Sequence, residues 1–284
     1  MSGDARGGPP AAPPPPRASP ELSEQLSEQE VKDRLTRLSR RGFAGAGVAG
    51  IMALLGGRWL QRWAFQEDDL AWPLRRALQA NEAISRGLFS PEHLAPIFPL
   101  AAVGTMRVNG MAGLEGDDFQ PGEWRLELQG LAEGPTSLDL AALQAMRRTE
   151  MITEFKCIEG WSTVAQWAGV SLADVARAHP PTTRSGRPFD PDRPEDAPPY
   201  VSLTTPDRGY FVGLDTASAL HPQTLLAWEL NGAPLTSAHG APLRLVVPVK
   251  YGIKCIKRIG MLAWSAERPA DFWAARGYDW YAGL

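Results

Sequence analysis

The chain of 284 residues is poor in the groups that hold structural metals: two cysteines and four histidines, with no Cys-x-x-Cys, His-x-x-x-His or clustered Cys/His spacing. A structural zinc site, which takes four such ligands at short spacing, is excluded. Net charge is small as well, 29 Lys and Arg against 32 Asp and Glu, or −3. No broad field would attract a polyanion, so nucleic acid is not expected as a partner. The Walker loop, the G-x-S-x-G elbow, the haem motif Cys-x-x-Cys-His, a flavin motif and internal repeats are all missing, and the one G-x-G-x-x-G match, Gly45 to Gly50, follows a basic Arg40-Arg41 cluster and no strand-like run. Nucleotide-cofactor and common hydrolase readings have no support. Long apolar runs are lacking too. The uncharged stretch Gly42 to Gly57 has sixteen residues, six of them glycine. As a helix it would rise about 24 Å, short of the ~20 residues a bilayer span normally takes. A polytopic membrane protein is excluded.

What is abundant is turn-forming residue, 28 Gly and 26 Pro, beside 44% hydrophobic residues that include ten Trp. That suffices for the core of one large domain or two small ones. Seven prolines fall in residues 1–20 and seven in 180–199, marking a tail and a surface loop. Residues 1–38 read as a disordered Pro-rich tail with a marginal helix over 21–41, where Leu22, Leu26, Leu35 and Leu38 recur at helical spacing. Ser39-Arg40-Arg41-Gly42-Phe43 and the weakly hydrophobic run after it resemble a twin-arginine export signal. Residues 39–63 are therefore expected to be that signal or, because no small-x-small cleavage site follows, a membrane anchor. Residues 64–104 are expected to form a linking helical segment and 105–284 a single catalytic domain.

Within 105–284 strands dominate. Trp124, Leu126 and Leu128 alternate with Arg125, Glu127 and Gln129 over 124–130, the period of a half-buried strand. Further strands are expected at 149–157, 200–204, 225–230, 243–249 and 256–264, and helices at 137–147 and 171–178, the latter capped by Ser171 with Asp174 three residues on. Strands and helices do not alternate regularly, so the class is α+β and strand-rich, not doubly wound.

Two stretches carry chemistry. In T-E-F-K-C-I-E-G-W-S, Cys157 ends a strand where a Gly-Trp turn begins. A thiol there suits a nucleophile, a soft-metal ligand, half of a disulfide with Cys255, or a small buried hydrophobe. In H-G-A-P-L-R-L-V-V-P-V-K-Y-G-I-K-C-I-K, a Gly-Ala-Pro turn feeds an apolar strand flanked by His239, Arg244, Lys250, Lys254 and Lys257. Cations in a glycine-rich frame suit a phosphate or another dianion; a buried strand with solvated charges at its ends is the structural alternative. Glu159 either touches the same pocket or caps a backbone N–H, His221 reads as a structural hydrogen-bonder, and Trp264, Trp273 and Trp280 as core.

Together, F-K-C-I-E-G-W-S and, about 80 residues on, H-G-A-P-L-R-L-V-V-P with K-C-I-K closely resemble the molybdopterin-binding domain of the sulfite oxidase superfamily, in particular its exported methionine-sulfoxide-reductase branch. G-V-S-L-A-D-V, Y-V-S-L-T-T, A-L-H-P-Q-T-L-L-A and the tail Y-D-W-Y-A-G-L add to the likeness, which spans roughly residues 105–284. The resemblance implies the sulfite-oxidase-type fold and a molybdenum-molybdopterin cofactor. Cys157 would be the catalytic thiolate that ligates molybdenum. His239 and Arg244 would bind the pterin and its phosphate; Lys257, with the backbone of Cys255 and Ile256, would complete the phosphate clamp. Thr205 would be a further pterin contact, and the loop of Asn109, Ala112 and Gly113 the first pterin-binding loop. It also fits export, since a protein that acquires its cofactor in the cytoplasm is exported folded, to the periplasm or another extracytoplasmic site.

In the superfamily, arginines hold the sulfite dianion around the metal. Here the expected loop position is Met111, and I-E-G-W-S follows Cys157, so a neutral sulfoxide or N-oxide is the expected small-molecule substrate. The reaction expected is oxygen-atom transfer, the metal cycling between Mo(IV) and Mo(VI). With 27 residues after Lys257, no haem or dimerisation domain is expected; the chain is read as a monomer served by a separate electron-transfer partner, such as a membrane haem protein. Two rivals are a thiol enzyme with Cys157 as nucleophile and His239 as base, and a non-catalytic exported binding module. The family reading places Cys157 on the metal and Cys255 in the phosphate loop. Thiol titration of the cofactor-loaded protein is therefore expected to find no bridge between them, although two cysteines in an exported protein would ordinarily pair.

Overall fold

The computed structural model describes residues 66–67, 70–114, 119–191 and 193–284, all within the unit Ala64–Leu284. The Pro-rich tail, the helix expected over 21–41 and the paired-arginine segment lie outside the described residues. In chain order the elements are β1 (Gln66–Glu67), β2 (Leu70–Ala71), α1 (Trp72–Leu88), β3 (Leu126–Gln129), β4 (Thr136–Leu138), α2 (Leu140–Gln144), β5 (Arg148–Lys156), β6 (Ser162–Ser171) and α3 (Leu172–Ala178). They continue with β7 (Tyr200–Thr204), β8 (Phe211–Asp215), α4 (Thr216–Ala219), β9 (Leu225–Leu230), β10 (Ala233–Pro234), β11 (Arg244–Val246) and β12 (Met261–Ser265).

Two five-stranded sheets make the body. One runs β10-β9-β6-β5 with β11 also on β9; the other runs β4-β3-β12-β7-β8. All pairs are antiparallel except β3 with β12. Alternation explains the burial: Leu126 and Leu128 face inward while Glu127 and Gln129 are exposed. The main core joins these leucines to Val201, Leu203, Leu245 and Leu262. A second core, with Met106, Met151, Trp167, Ala227 and Val246, forms a separate cluster built on the β6–β9–β11 sheet. The fold is the strand-rich α+β domain expected. Among the described residues, no helix is long and apolar enough to cross a membrane.

Several boundaries differ from the sequence reading, each for a local reason. The helix expected over 137–147 shortens to α2, because Thr136–Leu138 pairs with β3 and Asp139 caps the helix from the Ala142 N–H. The strand expected over 243–249 stops at Val246, where a Val247–Lys250 turn closes. The strand expected over 256–264 starts only at Met261, since Arg258 has a positive φ of 47° that breaks extension. Strands β6 and β8 were not foreseen. β6 interrupts alternation with a bulge at Ala168/Gly169, which hides its period. Ser171 caps α3 as expected, its Oγ accepting the Asp174 N–H at 3.0 Å. The proline-rich 180–199 loop is tied down: Thr182 N–H donates to Gly130, and Ser185 N–H to Asp196.

The C-terminal arm is fastened by buried charge. Lys254 Nζ donates to Asp271 Oδ2 at 2.6 Å and to the Gly213 carbonyl at 2.9 Å, while Asp271 Oδ1 accepts from Trp273 and Ala274 N–H. Lys250 is also buried, with its Nζ 2.8 Å from the centroid of the Tyr281 ring, 3.7 Å from Asp215 Oδ2 and without a hydrogen-bond partner. Burial pushes its pKa down to about 7, against the pull of Asp215. The unfolded chain, where lysine has its ordinary value of 10.5, therefore binds an extra proton between these limits. Stability falls as pH drops from about 10 to about 7 and changes no further on this account below that. Lys250→Met, which leaves Asp215 bonded to Ser218 N–H and Oγ–H, is expected to stabilise the fold at pH 7 by up to about 4 kcal/mol, the proton-linkage cost of the buried lysine. Urea midpoints of parent and variant at pH 7 and 9.5 should converge.

Candidate active site

Strands β5 and β6 form a nine-pair hairpin from Arg148↔Val170 to Lys156↔Ser162, and Cys157 opens the turn at its tip. Its N–H donates to the Trp161 carbonyl at 2.9 Å and its carbonyl accepts from Gly160 at 3.1 Å, so the backbone fixes where the buried thiol stands. Phe155 and Trp161 stack beside it, centroids 5.8 Å apart. Glu159 is exposed on the same turn, and its Oε2 accepts from Trp161 Nε1 at 3.1 Å and Asn109 Nδ2 at 3.2 Å. The Trp161 and Asn109 hydrogen bonds, with the nearby Arg107 charge, hold its pKa below the usual carboxylate range. The same Asn109 nitrogen lies 3.7 Å from Cys157 Sγ. Glu159 thus touches the pocket and caps no backbone N–H.

The facing wall comes from residues 236–258. A short 3-10 turn, Ser237–His239, ends at Gly240, whose φ of 96° and whose Cα hydrogens against Lys257 leave no room for a Cβ. Arg244 enters beneath it, 3% exposed. It donates to the carbonyls of His239 at 3.1 Å and Cys255 at 3.3 Å, and lies 4.8 Å over the Trp167 ring. No carboxylate pairs with it among the described residues, and its Nε has no partner. Burial lowers its pKa to about 10, so it stays a cation at neutral pH. Burial, then the charges of Arg244 and Lys257, lowers His239, which favours the neutral imidazole. Burial raises the Cys255 thiol, and both cysteines are free. Lys257 directs all three N–H donors to the carbonyls of Asn109, Gly110 and Ala238, at 2.8–2.9 Å. It stitches the Asn109 loop to the His239 turn.

These walls enclose a cavity of about 260 Å³ lined by Cys157, Asn109, Ala112, His239, Arg244, Cys255 and Lys257 among others. That far exceeds the ~10–15 Å³ a water needs. Three expected contacts stand apart. Gly113 and Thr205 line the neighbouring cleft; the Thr205 hydroxyl is engaged by Asp207, the Tyr210 carbonyl and the Tyr210 N–H. Gly113 packs so closely on Thr205 that a Cβ would lie 2.4 Å from its methyl. Ile256, expected to contribute its backbone, does not line the cavity: its N–H donates to the Lys254 carbonyl, its carbonyl accepts the Leu245 N–H, and its side chain belongs to the main core. Sequence reasoning missed Arg107, Tyr210 and Tyr278, which line the cavity; Trp273 packs on the main core as expected and lines the cavity as well. Arg107 lies four residues before Met111, so the loop does bring a guanidinium to the mouth, 5.7 Å over Trp161. His221 is structural, its Nδ1 accepting the Gln223 N–H.

The model of the oxidoreductase molybdopterin binding domain matches residues 114–273, more than half of the chain. The chain belongs to this family. It is a molybdopterin-dependent oxidoreductase with the sulfite-oxidase-type fold and a molybdenum-molybdopterin cofactor. It is 31% identical over 207 residues to the putative protein-methionine-sulfoxide reductase subunit YedZ1 of Azospira oryzae, covering 72% of this chain and 73% of that one. To the protein-methionine-sulfoxide reductase catalytic subunit MsrP of Xanthomonas campestris it is 39% identical over 152 residues, 53% of this chain and 47% of the relative; it spans about half that relative's length. Among solved structures it is similar to the sulfane dehydrogenase SoxCD of Paracoccus pantotrophus, with a TM-score of 0.43 and 19% identity over 53% of this chain and 40% of that one.

The cavity's own chemistry fits such a cofactor. A soft sulfur stands at one wall, and at the other a buried guanidinium has no anion of its own and an unpartnered Nε, which a phosphate would satisfy. A charge-assisted hydrogen bond is worth about 1.5–3 kcal/mol. Arg244→Met should therefore weaken cofactor retention about 10- to 100-fold, measured as oxidised-pterin fluorescence per chain after gel filtration.

Proposed function

We propose that the protein is an exported enzyme that reduces an organic S- or N-oxide, with methionine sulfoxide as the leading substrate, using electrons from a separate membrane haem partner. The observation that carries this reading is the mouth of the cavity. Beside Cys157 stands the Glu159 carboxylate, ionised at neutral pH, and around it are Ile158, Trp161, Trp273 and Tyr278. A sulfite dianion would meet that carboxylate there, while the nearby Arg107 guanidinium lies over the Trp161 ring and contributes only the weakest of the effects that favour the ionised Glu159. A neutral sulfoxide on an apolar side chain meets complementary walls. The two methionine-sulfoxide reductase relatives support the same choice.

In this reading Cys157 ligates molybdenum, Arg244 and His239 hold the phosphate and pterin, and the backbone of Cys255 completes the clamp. Lys257 keeps the Asn109 loop against the His239 turn, so Asn109 and Ala112 close the pterin's outer side. Gly113 and Thr205 support that loop from behind, through packing and not through direct contact. When bound, molybdenum supplies a two-electron couple able to take an oxygen atom. The aromatic walls exclude water and orient the substrate's apolar stem, while neutral His239 is placed to accept a hydrogen bond. The catalytic unit acts as a monomer, and residues 39–63 deliver it to the periplasm or keep it at the membrane. A free thiol nucleophile is disfavoured because it leaves the buried, unpaired Arg244 without a purpose.

Protein from a host that makes molybdopterin should contain about one molybdenum per chain and reduce methionine sulfoxide with reduced viologen as donor. Cys157→Ala should lose both the metal and the activity. Metal-free protein with thiol-dependent turnover would overturn the reading.

A further inference from the structure

The Asn109 carboxamide spans two acceptors. Its Nδ2 lies 3.7 Å from Cys157 Sγ and 3.2 Å from Glu159 Oε2, one hydrogen for each. The amide orientation follows from Glu159: turned round, the amide oxygen would face an ionised carboxylate, which does not donate. Every joint of this arrangement is anchored. Glu159 Oε2 also takes the Trp161 Nε1 hydrogen, the Trp161 carbonyl takes the Cys157 N–H, and the Asn109 carbonyl takes a Lys257 Nζ hydrogen. The network closes on itself around the sulfur.

We infer that Asn109 tunes the Cys157 thiolate through an N–H···S hydrogen bond and that Glu159 is the positioning residue that holds the carboxamide in place. This rests on the reading of Cys157 as the molybdenum ligand. A hydrogen donated to a ligating sulfur draws electron density from it and favours the reduced metal, so the potential rises. The negative charge of Glu159 pushes the other way. Its two effects are therefore separable: Glu159→Gln removes the charge and keeps an acceptor oxygen, whereas Glu159→Ala removes both. Arg107 faces the same turn from over Trp161 and is unchanged in either variant. Glu159 is exposed, so neither substitution touches the core.

The test is an EPR-monitored redox titration of Mo(V) in the full-length holoenzyme, with molybdenum content measured in each sample. Asn109→Ala should lower the potential. Glu159→Ala should lie below Glu159→Gln, and that gap should vanish when both are made in the Asn109→Ala background. Equal potentials for Glu159→Gln and Glu159→Ala, or a gap that persists without Asn109, would overturn the pairing while leaving Cys157 as ligand. Parent protein without molybdenum would overturn both.

Discussion

A guanidinium buried without a counter-charge is the constraint on which the site depends. Removing a cation from water costs several kcal/mol even after the protein relaxes, and Arg244 recovers part of that from two carbonyls and the Trp167 face. Those partners come from the His239 turn, the Cys255 loop and the β5–β6 hairpin, so one side chain draws three segments together. What it lacks is a negative group. Among the described residues no carboxylate answers this charge, so the site suits an anion from outside, and the proposed reading assigns that place to the cofactor's phosphate.

The opposite wall is built on hydrogen-bond geometry instead of charge. The long β5–β6 pairing projects Cys157 from a rigid ribbon, and the five-residue turn from Cys157 to Trp161 is closed by its own backbone. Such a mount limits how far the sulfur can move, which would matter if, as proposed, it is a metal ligand. Lys257 couples the two walls. Because its donors are spent on the Asn109, Gly110 and Ala238 carbonyls, its contribution to an anion is made through the loops it aligns, and burial keeps its pKa down near 8.

The sequence was most legible where one residue type has one physical meaning. Alternation in 124–130 placed β3, Ser171 marked a cap, and the Gly-Trp turn after Cys157 put the thiol at a strand end where a loop begins. Arg244 and His239 stood out only through the family resemblance, because cations flanking an apolar run read equally well as solvated strand ends. The sequence was least legible where tertiary packing overrides pattern. The bulge in β6 broke its period, and the positive φ at Arg258 delayed β12 in a way that no propensity reveals. Trp273 packs on the core as its residue type suggests, and its second role at the cavity depends on the Asp271-held turn, which has no signature in one dimension. Arg107 has no signature either, four residues before Met111 in a loop whose course follows no repeat.

The cavity takes its lining from points scattered between Met106 and Tyr278, with no contiguous fragment holding both the thiol and the guanidinium. A fragment ending after the β5–β6 hairpin carries the thiol without the guanidinium. The site is thus a property of the assembled domain, and no excised peptide from either wall would reproduce it.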